Sequence, residues 1–461
     1  MRAGDPGGNH AMESPMNSNR LLSRVCLFLI FGAFAAGGAV AQDEEGDSQK
    51  TKQAQAVSKE FFDRIQKAQE EIDADNPRAA LDILDSLKGR KGITEYELQQ
   101  CLNYIGFVKY NLDDIDGAMA AYREMIAIPS IEPQIKKSTI YTMAQLSTMQ
   151  ERYDQALGLL EEYFALETNP APDNYILYAQ NLYQVNRYAE MIKPIETAIS
   201  EAERRGTEVK EDWYVLLNFA YFQEENYVKV RDIQKILLVN WPKKRYWFSL
   251  AGAYTELGEE QNLVAAYDAA FTQGMFDKES EFVTMAQLYM QAEVPYKAAK
   301  LLDEQMTAGM VAKDDKNYRL LSQAWTLAAE DEKSIPALQE AARLSDEGEL
   351  DLRLGNAHLN LGQYEECVAA IRNGIRKGGI KSPDNAQISL GMCLYNMKDY
   401  DASLAAFREA GKTARSARIS RQWINVIESD VERNRQISLA ETAARRQLEQ
   451  LAARRQAAER I

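Results

Sequence analysis

The segment Pro383–Ala410, PDNAQISLGMCLYNMKDYDASLAAFREA, reads as two short amphipathic helices joined by a turn. Leu390-Gly391 belongs to the first helix, Tyr400 opens the second, and Ser403 and Phe407 follow on the second at helical spacing. The layout returns as Leu354-Gly355 with Gly362 and Tyr364, and again as Trp247, Leu250, Tyr254, Gly258, Tyr267 and Ala270. With the small-residue slot of the second helix as marker, the equivalent positions are Ala80, Ala118, Ala156, Met191, Val230, Leu263, Ala298, Ser334, Cys367 and Ser403. They lie 33 to 39 residues apart. One hairpin of this size cannot bury its own apolar face, so neighbouring hairpins stack and share a core. Pro133, Pro170, Pro172, Pro242 and Pro383 fall between hairpins, where a fixed φ and a missing N–H stop one helix without harming the next.

The pattern of a large residue, Leu-Gly, Tyr, Gly-x-Tyr and then Ala, aromatic and Ala resembles the tetratricopeptide repeat family. That resemblance implies an all-α fold, a right-handed α-solenoid of about ten helical hairpins. The hairpins occupy 57–410, with a capping helix at 411–429 and a charged tail helix at 430–461. An unrelated helical bundle could share the 46% hydrophobic composition, but not ten markers at near-constant spacing. Two hairpins depart from the pattern: Trp325 stands where Tyr is usual, and Pro295 precedes Ala298. After Gly411, Ile419, Trp423, Val426 and Ile427 suit one face of a cap. Ile437, Ala444 and Leu451 then repeat every seven residues, too few to specify a coiled coil.

The chain begins like a signal peptide over residues 1–41. Arg20 and Arg24 precede an apolar run from Val25 to Ala36, and Ala39-Val40-Ala41 supplies the small-x-small site, so the mature chain is expected to start at Gln42 in the periplasm. Met16 offers a more compact start. An uncleaved anchor is the alternative, but the apolar run is shorter than the ~20 residues of a spanning helix. Residues 42–56 are acidic and aperiodic, the composition of a disordered linker. The chain carries a net charge of −15, which disfavours nucleic acid as a partner. Its basic groups concentrate after Gly411, a solvated helical tail or a contact for an anionic surface.

Cys101, Cys367 and Cys393 remain after processing, an odd number. Cys367 and Cys393 fall in successive hairpins, where either a bridge or two buried thiols would fit. His358 is the single His beyond the signal and takes a packing position. No zinc motif, nucleophile elbow or phosphate loop is present, so no enzyme, metal or cofactor is expected.

In tetratricopeptide proteins the first helices line the concave face. Carried over residue by residue, the ligand groove comprises Tyr141, Gln145, Gln180, Tyr183, Phe219, Phe222, Phe248, Gln287, Met290, Gln323, Asn356, Met392 and Tyr395. Gln145, Gln180, Gln287 and Gln323 occupy one slot of four hairpins, where an amide can both donate to and accept from an extended peptide. Basic residues are scarce in this set, so a carboxylate clamp is not expected.

The closing Ala414-Arg415-Ser416-Ala417-Arg418, with Gln422-Trp423-Ile424 and Glu428, resembles periplasmic tetratricopeptide proteins associated with TonB-ExbB-ExbD energy-transduction systems. The resemblance implies a non-catalytic scaffold accessory to TonB-dependent outer-membrane transport. Its partners would be proteins or peptides, TonB-system components among them, and any membrane association would run through those partners. A generic scaffold in envelope, secretion or outer-membrane assembly is the alternative.

Overall fold

A computed structural model of the chain describes residues 57–458, with side chains to 453. The signal segment 1–41 and the linker 42–56 lie outside the described residues. Over the described residues the chain is all helix, 21 in number, and divides into a unit ending at Lys243 and a unit starting at Lys244. The first unit holds five hairpins: α1 (Lys59–Asp73) with α2 (Pro77–Lys88), α3 (Glu95–Asn111) with α4 (Ile115–Ile126), and α5 (Pro133–Met149) with α6 (Tyr153–Leu166). It continues through α7 (Pro172–Gln184) with α8 (Tyr188–Arg205) to α9 (Glu211–Gln223) with α10 (Tyr227–Asn240). The second unit pairs α11 (Lys244–Glu256) with α12 (Glu260–Thr272), α13 (Glu279–Gln291) with α14 (Pro295–Ala308), and α15 (Asp315–Leu327) with α16 (Asp331–Leu344). It closes with α17 (Glu349–Asn360) and α18 (Tyr364–Lys377), α19 (Pro383–Asn396) and α20 (Tyr400–Ala410), and the unpaired α21 (Ala417–Ala458).

One turn geometry recurs ten times. Two residues before each second helix the backbone is left-handed, with φ between 54° and 73° at Asp75, Asp113, Glu151, Asn186, Glu225, Gly258, Glu293, Ala329, Gly362 and Lys398. The next residue's N–H reaches back five positions to a first-helix carbonyl. Asn76 donates to Glu71 O at 2.8 Å and Asp399 to Leu394 O at 3.0 Å, satisfying a carbonyl the helix end leaves open. Every sequence marker is the fourth residue of its second helix. Nine of the ten are buried; Leu263 is half-buried.

Seven residues before each left-handed turn a small side chain faces the second helix. At Gly106, Gly355 and Gly391 an added Cβ would come within 2.5 Å of the Tyr122 ring, 2.3 Å of Ile371 and 2.7 Å of the Phe407 ring. Ala68, Ala144, Ala179, Ala251, Ala286 and Ser322 hold the same place. The exception is Asn218, whose counterpart across its hairpin is Gln234. Both are buried, and their carbonyl oxygens Oδ1 and Oε1 have no hydrogen-bond partner.

Buried polar groups fasten both ends of the described chain. Ser58 caps α1 and donates its hydroxyl to Glu97 Oε1 at 2.6 Å, while Arg90 reaches Glu97 Oε2 at 2.8 Å. Burial opposes the Glu97 carboxylate, but the hydrogen bonds from Ser58 and Thr94 and the charge of Arg90 outweigh it and bring the pKa to about 2. At the other end Asp384 accepts from Ser416 Oγ and Arg415 Nη2, both at 2.6 Å, and these bonds hold its carboxyl well below the usual range.

The closing segment differs from expectation. A single helix, α21, replaces the capping helix that was to end near Ser429 and the separate tail helix, because no Gly or Pro breaks the run from Ala417 to Ala458. Its inward line also differs. Ser416, Ser420 and Ile427 are buried and Trp423 stacks on Phe407 at 5.4 Å, whereas Ile419 and Val426 are exposed. Trp423 and Ile427 thus face inward as expected, while Ser420, beside Gly411, takes the inward place in the stead of Ile419. From Val431 to Ala453 every side chain is exposed.

Cys367 of α18 and Cys393 of α19 are joined by a disulfide with Cα atoms 6.3 Å apart, tying the last two hairpins together. Cys101 stays a free, buried thiol. Its pKa is pushed up to about 12 by burial, and its S–H donates to Leu84 O.

The left-handed turns can be tested singly. Left-handed backbone costs a non-Gly residue ~1 kcal/mol, against ~0.5 kcal/mol of extra unfolded-state entropy for Gly. Ala329→Gly should therefore raise the urea midpoint by the equivalent of about 0.5 kcal/mol, and Gly362→Ala should lower it by a similar amount. Glu97 and Asp384 have depressed native pKa values, so their contribution is complete above the unfolded carboxylate range and fades as pH falls through it. Between pH 5 and 3 the wild-type midpoint should drop more steeply than that of Glu97→Gln with Asp384→Asn; parallel profiles would remove both carboxylates from the stabilising set.

Candidate binding face

The left-handed turn gives a common register for the thirteen groove residues. Six residues before it stand Gln145, Gln180, Phe219, Gln287, Gln323, Asn356 and Met392. Three before it are Tyr183, Phe222, Met290 and Tyr395, and ten before it Tyr141 and Phe248. Offsets of three, four and seven place them on one side of the first helices α5, α7, α9, α11, α13, α15, α17 and α19. None is fully buried. Phe222, Gln287 and Gln323 are exposed and the other ten half-buried. Phe219 and Gly252 hold the six-before position in the two hairpins between the paired Gln residues, so the four amides form two separate pairs along the chain.

Several of these side chains already have partners. Phe248 packs on Tyr267 at 5.3 Å and Phe276 at 5.9 Å, and with Met290 it borders the core of the second unit. Tyr395 donates to Asp430 of α21 at 2.6 Å and lies 5.4 Å from Trp423, so the closing helix covers it. Tyr141 lies 5.0 Å from Tyr163, and burial raises its hydroxyl pKa. Tyr183, Tyr188 and Phe219 form a triad with centroids 5.1 to 6.0 Å apart.

Gln323 and Asn356 are brought together. Both line a cavity of about 340 Å³ beside α15 and α17, walled by Leu327 and Leu338 and edged by Arg319 and Arg353. Arg319 pairs with Asp315 at 3.2 Å. The two arginines were not among the sequence-derived residues. A helical signal existed, since Arg319 precedes Gln323 by four positions and Arg353 precedes Asn356 by three, on the same faces. A second, open hollow of about 960 Å³ beside the loop between α4 and α5 contains none of the thirteen.

His358 is buried, its Nδ1 2.6 Å from Gln363 Oε1 at the turn. Among the described residues no group of three or more His, Cys, Asp or Glu side chains is placed to hold a metal ion. The buried carboxylates are occupied structurally. Glu281 accepts from the Asp277 and Lys278 N–H groups at 2.9 and 3.0 Å, and Asp351 accepts from Asn373 at 2.6 Å.

No protein-family model and no curated protein matches this sequence. Among solved structures the chain is similar to a tetratricopeptide repeat protein from Parabacteroides merdae at 14% identity and a TM-score of 0.33, over 58% of this chain and 99% of that one. It is also similar to YrrB, a TPR protein with an unusual peptide-binding site, at 15% identity and 0.34, over 41% and 95%. A third likeness is to the TPR2AB domain of yeast Sti1 in complex with pHSP90, at 14% identity and 0.30, over 63% and 98%. The all-α solenoid assignment rests on the ten hairpins themselves.

Proposed function

We propose that the chain is a non-catalytic, exported scaffold that binds proteins or peptides and serves TonB-dependent outer-membrane transport. The observation that carries the binding reading is the register of the first helices. Amides and aromatic rings recur at fixed offsets from a repeated turn, none is fully buried, and two of them meet in a cavity. Amides so placed can pair with the N–H and C=O of an extended chain, while rings and Met accept its apolar side chains. Export is supported by the signal-like residues 1–41 and by the Cys367–Cys393 disulfide, which suits an oxidising compartment. The TonB assignment draws on the closing resemblance, whose Arg415 and Ser416 both grip Asp384.

Two experiments bear on this. Cross-linking in a periplasmic extract, followed by co-purification, should recover TonB and an ExbB-like partner. Recovery of envelope-assembly proteins instead would favour the generic scaffold, and a cytosolic protein whose Cys367 and Cys393 alkylate freely would overturn export. For the binding face, Phe222→Ser should change stability by less than about 0.5 kcal/mol, as an exposed site allows. Phe219→Ser, which removes a ring packed between Tyr183 and Tyr188, should cost ~2 kcal/mol. Both should weaken partner capture; a large loss of stability for Phe222→Ser would assign that ring to the core and remove it from the face.

A further inference from the structure

The aromatic side chains of the fourth and fifth hairpins gather beside two successive turns of the first unit. Phe219 touches Tyr183 at 5.1 Å and Tyr188 at 5.2 Å, and Phe222, one helical turn after Phe219, lies 6.0 Å from Tyr227. Phe222 is 37% exposed and the other four rings are half-buried. Neighbouring ring surface of this kind marks an interaction site more often than a stray surface residue does.

The turn between α9 and α10 is acidic. The turn that follows Phe222 carries Glu224 and Glu225, both exposed, and neither makes an ion pair or a side-chain hydrogen bond among the described residues. Two cations nearby in sequence already have partners. Arg187 is held by both carboxylate oxygens of Glu190, at 2.7 and 2.6 Å, and Lys229 lies over the Tyr221 ring at 5.9 Å. Ring faces are themselves electronegative, so the rings of these successive hairpins and the unpaired Glu224 and Glu225 carboxylates suit a cation that also offers apolar stem. The chain's net charge of −15 adds long-range attraction for such a partner.

We propose that this face docks a basic, extended segment of a partner protein. Arg or Lys side chains lie over Tyr183, Phe219 and Phe222, and Glu224 and Glu225 pair with their charged heads. Arg is favoured over Lys because a planar guanidinium stacks on a ring while it pairs with a carboxylate. The inference rests on the scaffold reading and narrows it to a cationic peptide class.

The test is fluorescence anisotropy of the full chain with labelled (Arg-Ala)5, (Lys-Ala)5 and (Glu-Ala)5 peptides in low salt. The Arg peptide should bind several-fold tighter than the Lys peptide, and the Glu peptide should not bind. Glu224→Gln with Glu225→Gln should weaken the Arg peptide at least five-fold, and so should Phe222→Ala. The control, Glu365→Gln with Glu366→Gln, makes the same charge change at exposed, unpaired positions on α18 and should leave binding unchanged. If Phe222→Ala fails to fold, the Glu pair alone decides the matter. Equal weakening by the control would reveal diffuse attraction and overturn the proposal, as would indifference to the patch variants or no binding of the Arg peptide. If partner capture by cross-linking persists in those cases, the scaffold reading stands and only this face loses its assignment; if capture fails too, both fall.

Discussion

The close approach of two helices across a small side chain is the constraint from which the rest of this structure follows. Where Gly391 faces the Phe407 ring or Gly106 the Tyr122 ring, there is no room for even a methyl group, so the ring of the second helix rests on the backbone of the first. That contact brings the two helices of nine pairs close together, and the left-handed turn follows seven residues later. Because the turn recurs at the same place in ten hairpins, every position on a first helix has a fixed register. A residue six before the turn belongs to the same row whether it is Gln145 or Met392.

This regularity explains what could be read from the sequence. The marker residues, from Ala80 to Ser403, are small or apolar for a steric reason that does not depend on neighbouring hairpins, so periodicity alone exposed them. The shared offsets of the thirteen first-helix residues follow from the same register. The polar posts between hairpins were not legible in this way. Glu97, Asn174, Glu281, Asn317 and Asp351 each stand third in a first helix and are all buried; the first three accept from their own N-cap N–H, but the residue type and the further partners change. Chemistry that changes from joint to joint leaves no period. The Asn218 and Gln234 pair escaped notice for a related reason: two amides replace a small residue and its large counterpart, which looks like drift until they are seen buried. The disulfide was undetermined because only three-dimensional packing tells which of two thiols on successive hairpins face each other. Helix α21 runs on through Asp430, where a separate tail helix was expected to begin, and Asp430 accepts a bond from Tyr395.

Packing and exposure divide between neighbouring rows of the same helices. The row seven before the turn is packed against the second helix, and the row six before it is half-buried at most. One residue of offset therefore separates a side chain packed inside the hairpin from one that reaches solvent. Such separation lets the exposed row vary in charge and size while the stack is preserved. Outside that row, the basic Arg319 and Arg353 edge of the second unit and the acidic Glu224 and Glu225 turn of the first differ in charge on the same repeated hairpin.

The unbroken helix α21 has a mechanical consequence. Its first turns are locked by Asp384, Phe407 and Tyr395, and the helix then runs on without Gly or Pro to Ala458. At 1.5 Å per residue the stretch after Arg433 extends for roughly 35 Å. A flexible tether would let its cargo wander through a sphere of that radius. A helix anchored at its base acts instead as an outrigger, presenting whatever grips its Arg-rich end at a set distance and bearing from the last hairpin.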